Sequence, residues 1–120
     1  MPYRLAIGLA VAGAALLSAA PAGAGSTVPK KTIRIGDNYY LPSAPTVRRG
    51  TTIVWKWPSF ENSGQVHDVK LKKGPRGVKR FHSAPAASDY TYKRRLTVPG
   101  TYRLVCTYHD DMAMTIRVKR

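Results

Sequence analysis

The sequence predicts an all-β domain, either a sandwich or a barrel. Short runs of alternating polar and apolar residues recur about every ten positions, and glycine and proline residues separate them. No segment carries a sustained helical period of apolar residues. The chain has 120 residues, a length that suits one domain rather than two.

Six runs are predicted strands. In five of them the alternate apolar residues would share one face of a sheet, and the fourth is rich in β-branched and aromatic residues. The third run places His67, Val69 and Leu71 on its apolar face and Asp68 on its polar face. Tyr102, in the fifth run, is a candidate for a tyrosine corner. In chain order the runs cover residues 31–35, 51–57, 66–72, 90–98, 101–106 and 112–118.

Two basic segments are predicted at the margins of this domain. Lys93, Arg94 and Arg95 lie in the fourth run and predict a solvated edge strand, since charge prevents edge-to-edge pairing. Residues 70–80 are rich in lysine and arginine and contain glycines, so we expect a loop or an irregular edge there.

Residues 1–24 have the features of a secretory signal peptide. Arg4 precedes an apolar run from Leu5 to Leu17, and small residues follow at 22–24. The run is shorter than the ~20 apolar residues that span a bilayer. We therefore expect cleavage after Ala24 and an exported domain of residues 25–120, in the periplasm, at the cell surface or outside the cell. An uncleaved N-terminal anchor is the alternative.

Composition excludes several classes of protein. One cysteine cannot form an internal disulfide, a multi-cysteine zinc site or an iron–sulfur cluster. A hydrophobic content of 43% excludes a disordered basic tail. The 20 Lys and Arg residues against 6 Asp and Glu residues predict an anionic partner. Export argues against nucleic acid and favours an acidic protein or an anionic cell surface.

A metal-binding pattern lies near the C-terminus. Cys106, His109 and Met112 have the spacing C-x2-H-x2-M across the predicted loop between the last two strands. His67 is in phase with the apolar face of its own strand, so it could converge on the same point. Two imidazoles, a thiolate and a weak thioether describe a blue-copper site. A structural zinc site would lack methionine, and magnesium or calcium would take oxygen ligands. Met114 competes with Met112.

On these residues the chain resembles the small bacterial cupredoxins, the family of plastocyanin, pseudoazurin and amicyanin. The resemblance covers residues 30–120 and rests on the run Gly100-x-Tyr102-x3-Cys106, the loop that follows it, and His67 with the Asp-Val after it. It implies a Greek-key β-sandwich that holds one type I copper ion. The ligands that it implies are His67, Cys106, His109 and Met112.

The resemblance also favours Met112 over Met114 as the axial ligand. In the family an alternating M-x-G-x-V-x-V strand follows the axial methionine, and residues 112–118 match it with Met114 in the glycine place. Asp68 stands where the family often has an asparagine that ties the two ligand loops together, and Tyr108 stands where it often has proline. Neither change removes a ligand, although groups around the ligands tune the reduction potential.

The function expected from this pattern is one-electron transfer by a monomer that meets a redox partner protein. The resemblance makes His109 the electron exit. Cys106 and His109 lack a third group that would make them a catalytic nucleophile and base, so we expect no enzyme. A copper chaperone or storage protein on the same fold and a metal-independent polyanion-binding module are the alternatives. We expect His82 to be a surface residue outside the site, and Asp110 and Asp111 to make the copper end less basic.

Overall fold

The computed structural model describes residues 27–120, together with Gly13. The predicted signal peptide therefore lies outside the described residues, apart from Gly13. Residues 27–120 contain eight strands and one short 3-10 helix at Phe60–Asn62. The strands are β1 (Lys30–Gly36), β2 (Tyr39–Leu41), β3 (Thr46–Arg48), β4 (Thr51–Lys56), β5 (Lys70–Lys73), β6 (Thr91–Leu96), β7 (Gly100–Val105) and β8 (Ala113–Lys119).

The strands form two four-stranded sheets that enclose one core. The first sheet has the order β2-β1-β4-β6, and the second has the order β3-β8-β7-β5. Both sheets are mixed, because β1 pairs with β4 and β3 pairs with β8 in parallel. Most connections cross from one sheet to the other. The predicted Greek-key sandwich is thereby confirmed, in preference to a barrel.

The predicted alternation is confirmed in the strands that form the core. Ile33, Ile53, Trp55, Leu104 and Ile116 are fully buried and face one another between the sheets. Burial of such side chains is the main favourable contribution to folding of a domain of this size. The Tyr102 hydroxyl donates to the Val98 carbonyl at 2.6 Å, which confirms the predicted tyrosine corner.

The segment at 66–72 differs from the prediction. A regular strand begins only at Lys70, and the backbone of His67 instead pairs with Ala86 in an isolated bridge. Asp68 is 1% exposed, so its predicted place on the polar face is wrong. The carboxylate is buried because it finds hydrogen-bond donors inside the protein, as described below. The prediction for 70–80 is confirmed, since Lys70–Lys73 form an irregular edge strand and the residues after it, 74–80, are loop.

Two further observations concern the margins of the sandwich. The predicted edge at 93–95 is confirmed, since β6 lies at the edge of the first sheet and these three residues are exposed. β2 and β3 were not predicted, because each has three residues and prolines interrupt the segment that contains them. Among the described residues, no helix combines the length and the apolar character needed to cross a bilayer.

Candidate metal centre

The loop between β7 and β8 carries the predicted C-x2-H-x2-M segment at one end of the sandwich. The strands' last paired residues are Val105 and Ala113. Beyond them the Cys106 amide donates to the Met112 carbonyl at 2.9 Å, and the Met112 amide donates to the His109 carbonyl at 3.2 Å. These bonds close the loop, so Cys106 and Met112 remain in the buried layer and His109 lies part-exposed at its tip.

His67 reaches the same point from the irregular segment before β5. Its ring is 2% exposed. Its backbone carbonyl accepts a hydrogen bond from Trp57 Nε1 at 3.2 Å, and its backbone also pairs with Ala86. Trp57 follows β4 directly, so the first sheet positions His67 against the loop that the second sheet carries.

Three donor atoms converge where these segments meet. His67 Nδ1 lies 3.2 Å from His109 Nδ1, and Cys106 Sγ lies 3.9 Å and 3.6 Å from these nitrogens. The three distances define a triangle of donor atoms. The point in its plane that is equally far from all three atoms lies about 2.1 Å from each. Metal–imidazole bonds of about 2.0 Å and metal–thiolate bonds of about 2.3 Å are typical of zinc sites. The cluster therefore has the dimensions of a transition-metal site.

The hydrogen bonds of the two imidazoles leave lone pairs directed at this point. His67 Nε2 lies 3.0 Å from Asp37 Oδ1, and His109 Nε2 contacts Gln65 Oε1. A carboxylate and an amide oxygen only accept, so in each neutral ring Nε2 carries the proton and Nδ1 carries the lone pair. Two lone pairs 3.2 Å apart repel each other unless a cation lies between them. The arrangement fits a metal ion, and a thiolate with two imidazoles suits copper.

Asp37 is a functional residue that sequence reasoning missed. It lies in the turn between β1 and β2, and it also accepts a hydrogen bond from the Gln65 amide at 3.1 Å. The hydrogen bond with His67 is the main reason that the pKa of Asp37 is lowered. Metal-binding histidines typically donate their second ring nitrogen to such a group. An acidic residue in a turn gives no sign in the sequence that it reaches a histidine 30 positions away.

Gln65 was missed as well. Its backbone contacts Asp37 and its side chain contacts His109, so it links the outer nitrogens of both imidazoles. Only its place two residues before His67 could have drawn attention to it.

Asp68 connects the two segments that carry the donor atoms. Its carboxylate accepts from the Thr107 amide at 2.7 Å and from the Thr107 hydroxyl, and it lies 2.6 Å from His82 Nε2. Burial raises the pKa of Asp68, but the hydrogen bonds from His82 and Thr107 outweigh it and lower the pKa overall. Asp68 thus joins the segment that carries His67 to the loop that carries Cys106.

The remaining predicted residues are distributed as follows. His82 lies outside the cluster with its side chain 48% exposed, although its pairing with Asp68 was not predicted. Asp110 and Asp111 are exposed in the loop. Met112 is fully buried at the end of that loop. The Met114 sulfur lies on the next inward position of β8, where it accepts a hydrogen bond from Trp55 Nε1 at 3.3 Å.

Comparison with known proteins gives one consistent result. Residues 28–119 match the model of the family described as copper binding proteins, plastocyanin/azurin family. Amicyanin-alpha of Methylorubrum extorquens is 28% identical over 103 residues, which cover 86% of this chain and 80% of that protein. Plastocyanin of Prochlorothrix hollandica is 34% identical over 122 aligned positions, covering 92% of this chain and 84% of that protein.

Solved structures agree on the fold. A reduced Cu(I) form of an amicyanin variant superimposes with a TM-score of 0.64 at 22% identity, covering 80% of this chain and 88% of that one. A copper-containing nitrite reductase from Thermus scotoductus superimposes with a TM-score of 0.61 at 24% identity. The match covers 77% of this chain but only 22% of the reductase, so the likeness concerns one domain's fold and not the reductase's activity.

Proposed function

The chain belongs to the copper-binding plastocyanin/azurin family, and on that premise we propose that it is an exported type I copper protein that carries single electrons. One copper ion is its cofactor. The carrier role, the identity of the ligands and the export are the proposal, and the export rests on the sequence of residues 1–24.

The proposed ligands are His67, Cys106 and His109, with Met112 in the axial position. The convergence of Cys106 Sγ and two Nδ1 atoms within 3.9 Å of one another is the observation that carries the proposal. Met112 is the better axial candidate because the Met114 sulfur already has the Trp55 indole as its partner. A trigonal site of two histidines and one cysteine with a weak axial methionine is typical of electron-transfer copper.

When bound, copper supplies a centre that alternates between Cu(I) and Cu(II). The protein's part is to hold the same ligand geometry in both states, because reorganisation would slow electron transfer. Asp37 fixes the ring of His67, Asp68 fixes the loop at Thr107, and the amide of Cys106 is bonded across the loop to Met112. These independent restraints favour a carrier over a chaperone, whose ligands must release the metal.

We propose His109 as the electron exit. Its ring is part-exposed, whereas His67 and Cys106 are buried, so it offers the shortest path from the centre to a partner. Tyr108, which precedes it, is 54% exposed and adds apolar surface beside the exit. The physiological partner in this proposal is a redox protein, and the chain works as a monomer without catalysing a reaction of its own.

Voltammetry on an electrode tests the carrier role. The copper-loaded protein is cycled repeatedly between its two oxidation states in the presence of a Cu(I) chelator, and copper content is measured before and after. We expect reversible waves and full retention of copper. Transfer of copper to the chelator within a few cycles would contradict the carrier role and support the chaperone alternative.

A further inference from the structure

A basic groove on the side of the sandwich is separate from the copper centre. It has a volume of about 330 Å³ and lies between residues 77–81 and β6 with the turn after it. Phe81, Leu96 and Tyr102 line it, and each of them is buried. β5 and β6 are edge strands of the two sheets, so the chain that connects them covers the opening on this side.

Four cationic residues line this groove. Lys79 and Arg80 come from the connecting segment, and Arg94 and Arg95 come from β6. The Arg94 guanidinium lies 5.1 Å from the centre of the Phe81 ring, and its Nε donates to the Tyr92 hydroxyl at 3.1 Å. Such contacts position a guanidinium while leaving its terminal N–H groups free to bind an anion.

Arg95 lies beside the groove on the outer face of β6, because consecutive residues of a strand point to opposite faces and Arg94 is the one that contacts the buried Phe81. The Nε of Arg95 donates to the Gly50 carbonyl at 3.1 Å, which joins β6 to the turn before β4. Both arginines are therefore already oriented, so less side-chain entropy is lost when they bind a ligand.

The charges in the groove have no counterions within the described chain. In residues 27–120 the only two ion pairs are His67 with Asp37 and His82 with Asp68. No lysine or arginine nitrogen of these residues lies within 4.0 Å of a carboxylate oxygen. None of the six acidic residues lines the groove. Four neighbouring cations without a counterion create a positive potential that attracts a multivalent anion.

We propose that this groove binds a linear, phosphate-bearing polymer. Arginine side chains bind phosphate oxygens in pairs, and a concave site of about 330 Å³ admits a segment of a chain but not the flat face of a folded protein. A membrane is the weaker candidate, because the large exposed apolar side chains that could enter a bilayer lie elsewhere. Those of the described chain are Val28, Tyr39, Leu41, Phe60, Val66 and Tyr108.

Cationic side chains on both outer faces of the sandwich also favour a flexible polymer, rather than a flat surface, as the ligand. A planar surface touches one face only, whereas a polymer that leaves the groove can follow either. On the first sheet Lys93 and Arg95 are exposed, and on the second sheet Arg103 and Arg117 are exposed.

The groove and the copper centre lie at different positions along β7. Tyr102 lines the groove, while Cys106 is four residues further on, which corresponds to about 13 Å of extended strand. A polymer in the groove would leave the edge of His109 accessible. The protein could then be retained on an anionic polymer while it exchanges electrons.

Binding of inorganic polyphosphate by the purified copper-loaded protein tests the proposal. Affinity is measured by calorimetry at several salt concentrations. One variant carries Lys79→Gln, Arg80→Gln and Arg94→Gln. The matched control carries Lys30→Gln, Arg34→Gln and Lys56→Gln on the outer face of the first sheet, and it has the same net charge. Circular dichroism checks that both variants fold.

We expect the groove variant to bind polyphosphate at least about tenfold more weakly than wild type, and the control to lose less than about threefold. The slope of log affinity against log salt should fall by about 2 in the groove variant. A single Arg80→Gln variant should bind polyphosphate about threefold more weakly than wild type, and it replaces the triple variant if the triple variant unfolds. Equal losses in the two triple variants, or binding to phosphatidylglycerol vesicles without binding to polyphosphate, would overturn the proposal.

Discussion

Asp68 is hydrogen-bonded to Thr107, through the Thr107 amide at 2.7 Å and through its hydroxyl. Each residue directly follows a proposed copper ligand, so this contact fixes the distance between the segment of His67 and the loop of Cys106. The carboxylate is 1% exposed and has donors for both oxygens, which is why a charge is tolerated inside the sandwich.

The first prediction concerns stability. Asp68→Ala leaves the Thr107 amide without its acceptor and should lower the free energy of unfolding by about 3 kcal/mol. Asp68→Asn keeps an acceptor for that amide and should cost about 1 kcal/mol. Urea denaturation of the metal-free protein at neutral pH measures both. Equal stability of Asp68→Ala and wild type would show that the contact does not hold the loops together.

The stability difference between wild type and Asp68→Asn should also depend on pH. The pKa of Asp68 is lowered by folding from 3.8, so its carboxylate stabilises the folded state above that value. This stabilisation is lost as the pH falls through the lowered pKa of the folded state. The stability difference between wild type and Asp68→Asn should therefore shrink below pH 3.8. A difference that grows on acidification would have the wrong sign.

The second prediction concerns Asp37. Replacement by Ala removes the acceptor of His67 Nε2–H and frees the ring to rotate, so copper affinity should fall about 10- to 100-fold. Competition with a chelator of known affinity measures the change. Glu61→Gln, an exposed acidic position in the 3-10 helix, is the control and should bind as wild type. Equal affinities in wild type and Asp37→Ala would contradict the positioning role.

The third prediction separates the two methionines. Met112→Leu removes the proposed axial thioether and should raise the reduction potential and alter the EPR spectrum, because the axial ligand tunes this type of site. Met114→Leu, which only removes the contact with Trp55, is the matched control and should change stability rather than the spectrum. If Met114→Leu produced the larger spectral change, the axial assignment would be reversed.

The fourth prediction concerns the acidic loop. Asp110 and Asp111 are exposed beside His109, and their negative charge favours the more positive oxidation state. Asp110→Asn with Asp111→Asn should raise the potential by on the order of tens of millivolts, and added salt should reduce the shift. An unchanged or lower potential at low salt would count against this electrostatic effect.

Much of the fold could be predicted because its strands follow a simple rule. Ile33, Tyr102 and Ile116 alternate with polar residues, and such alternation indicates one buried face. β2 and β3 escaped prediction, because three residues cannot establish a period. Their pairing depends on β1 and β8, which are distant in sequence.

The candidate site also contains residues that the sequence predicted and residues that it did not. Cys106 and His109 share one loop, so their spacing already limits how far apart the donor atoms can be. Asp37 and Gln65 contact the histidines through tertiary structure, and no fixed spacing in the sequence relates them. Asp68 was misplaced because a polar residue in an alternating run is expected to face solvent, whereas its fixed donors make burial favourable.

The central claim is that Cys106, His67 and His109 bind copper as a type I site. Its most direct test is the absorption and EPR spectrum of the purified protein after addition of one equivalent of Cu(II), for wild type and for Cys106→Ala. We expect intense visible absorption and a type I EPR signal in wild type, and the loss of both in Cys106→Ala. A wild-type protein that stays colourless with Cu(II), or a Cys106→Ala variant that keeps the absorption, would contradict this claim.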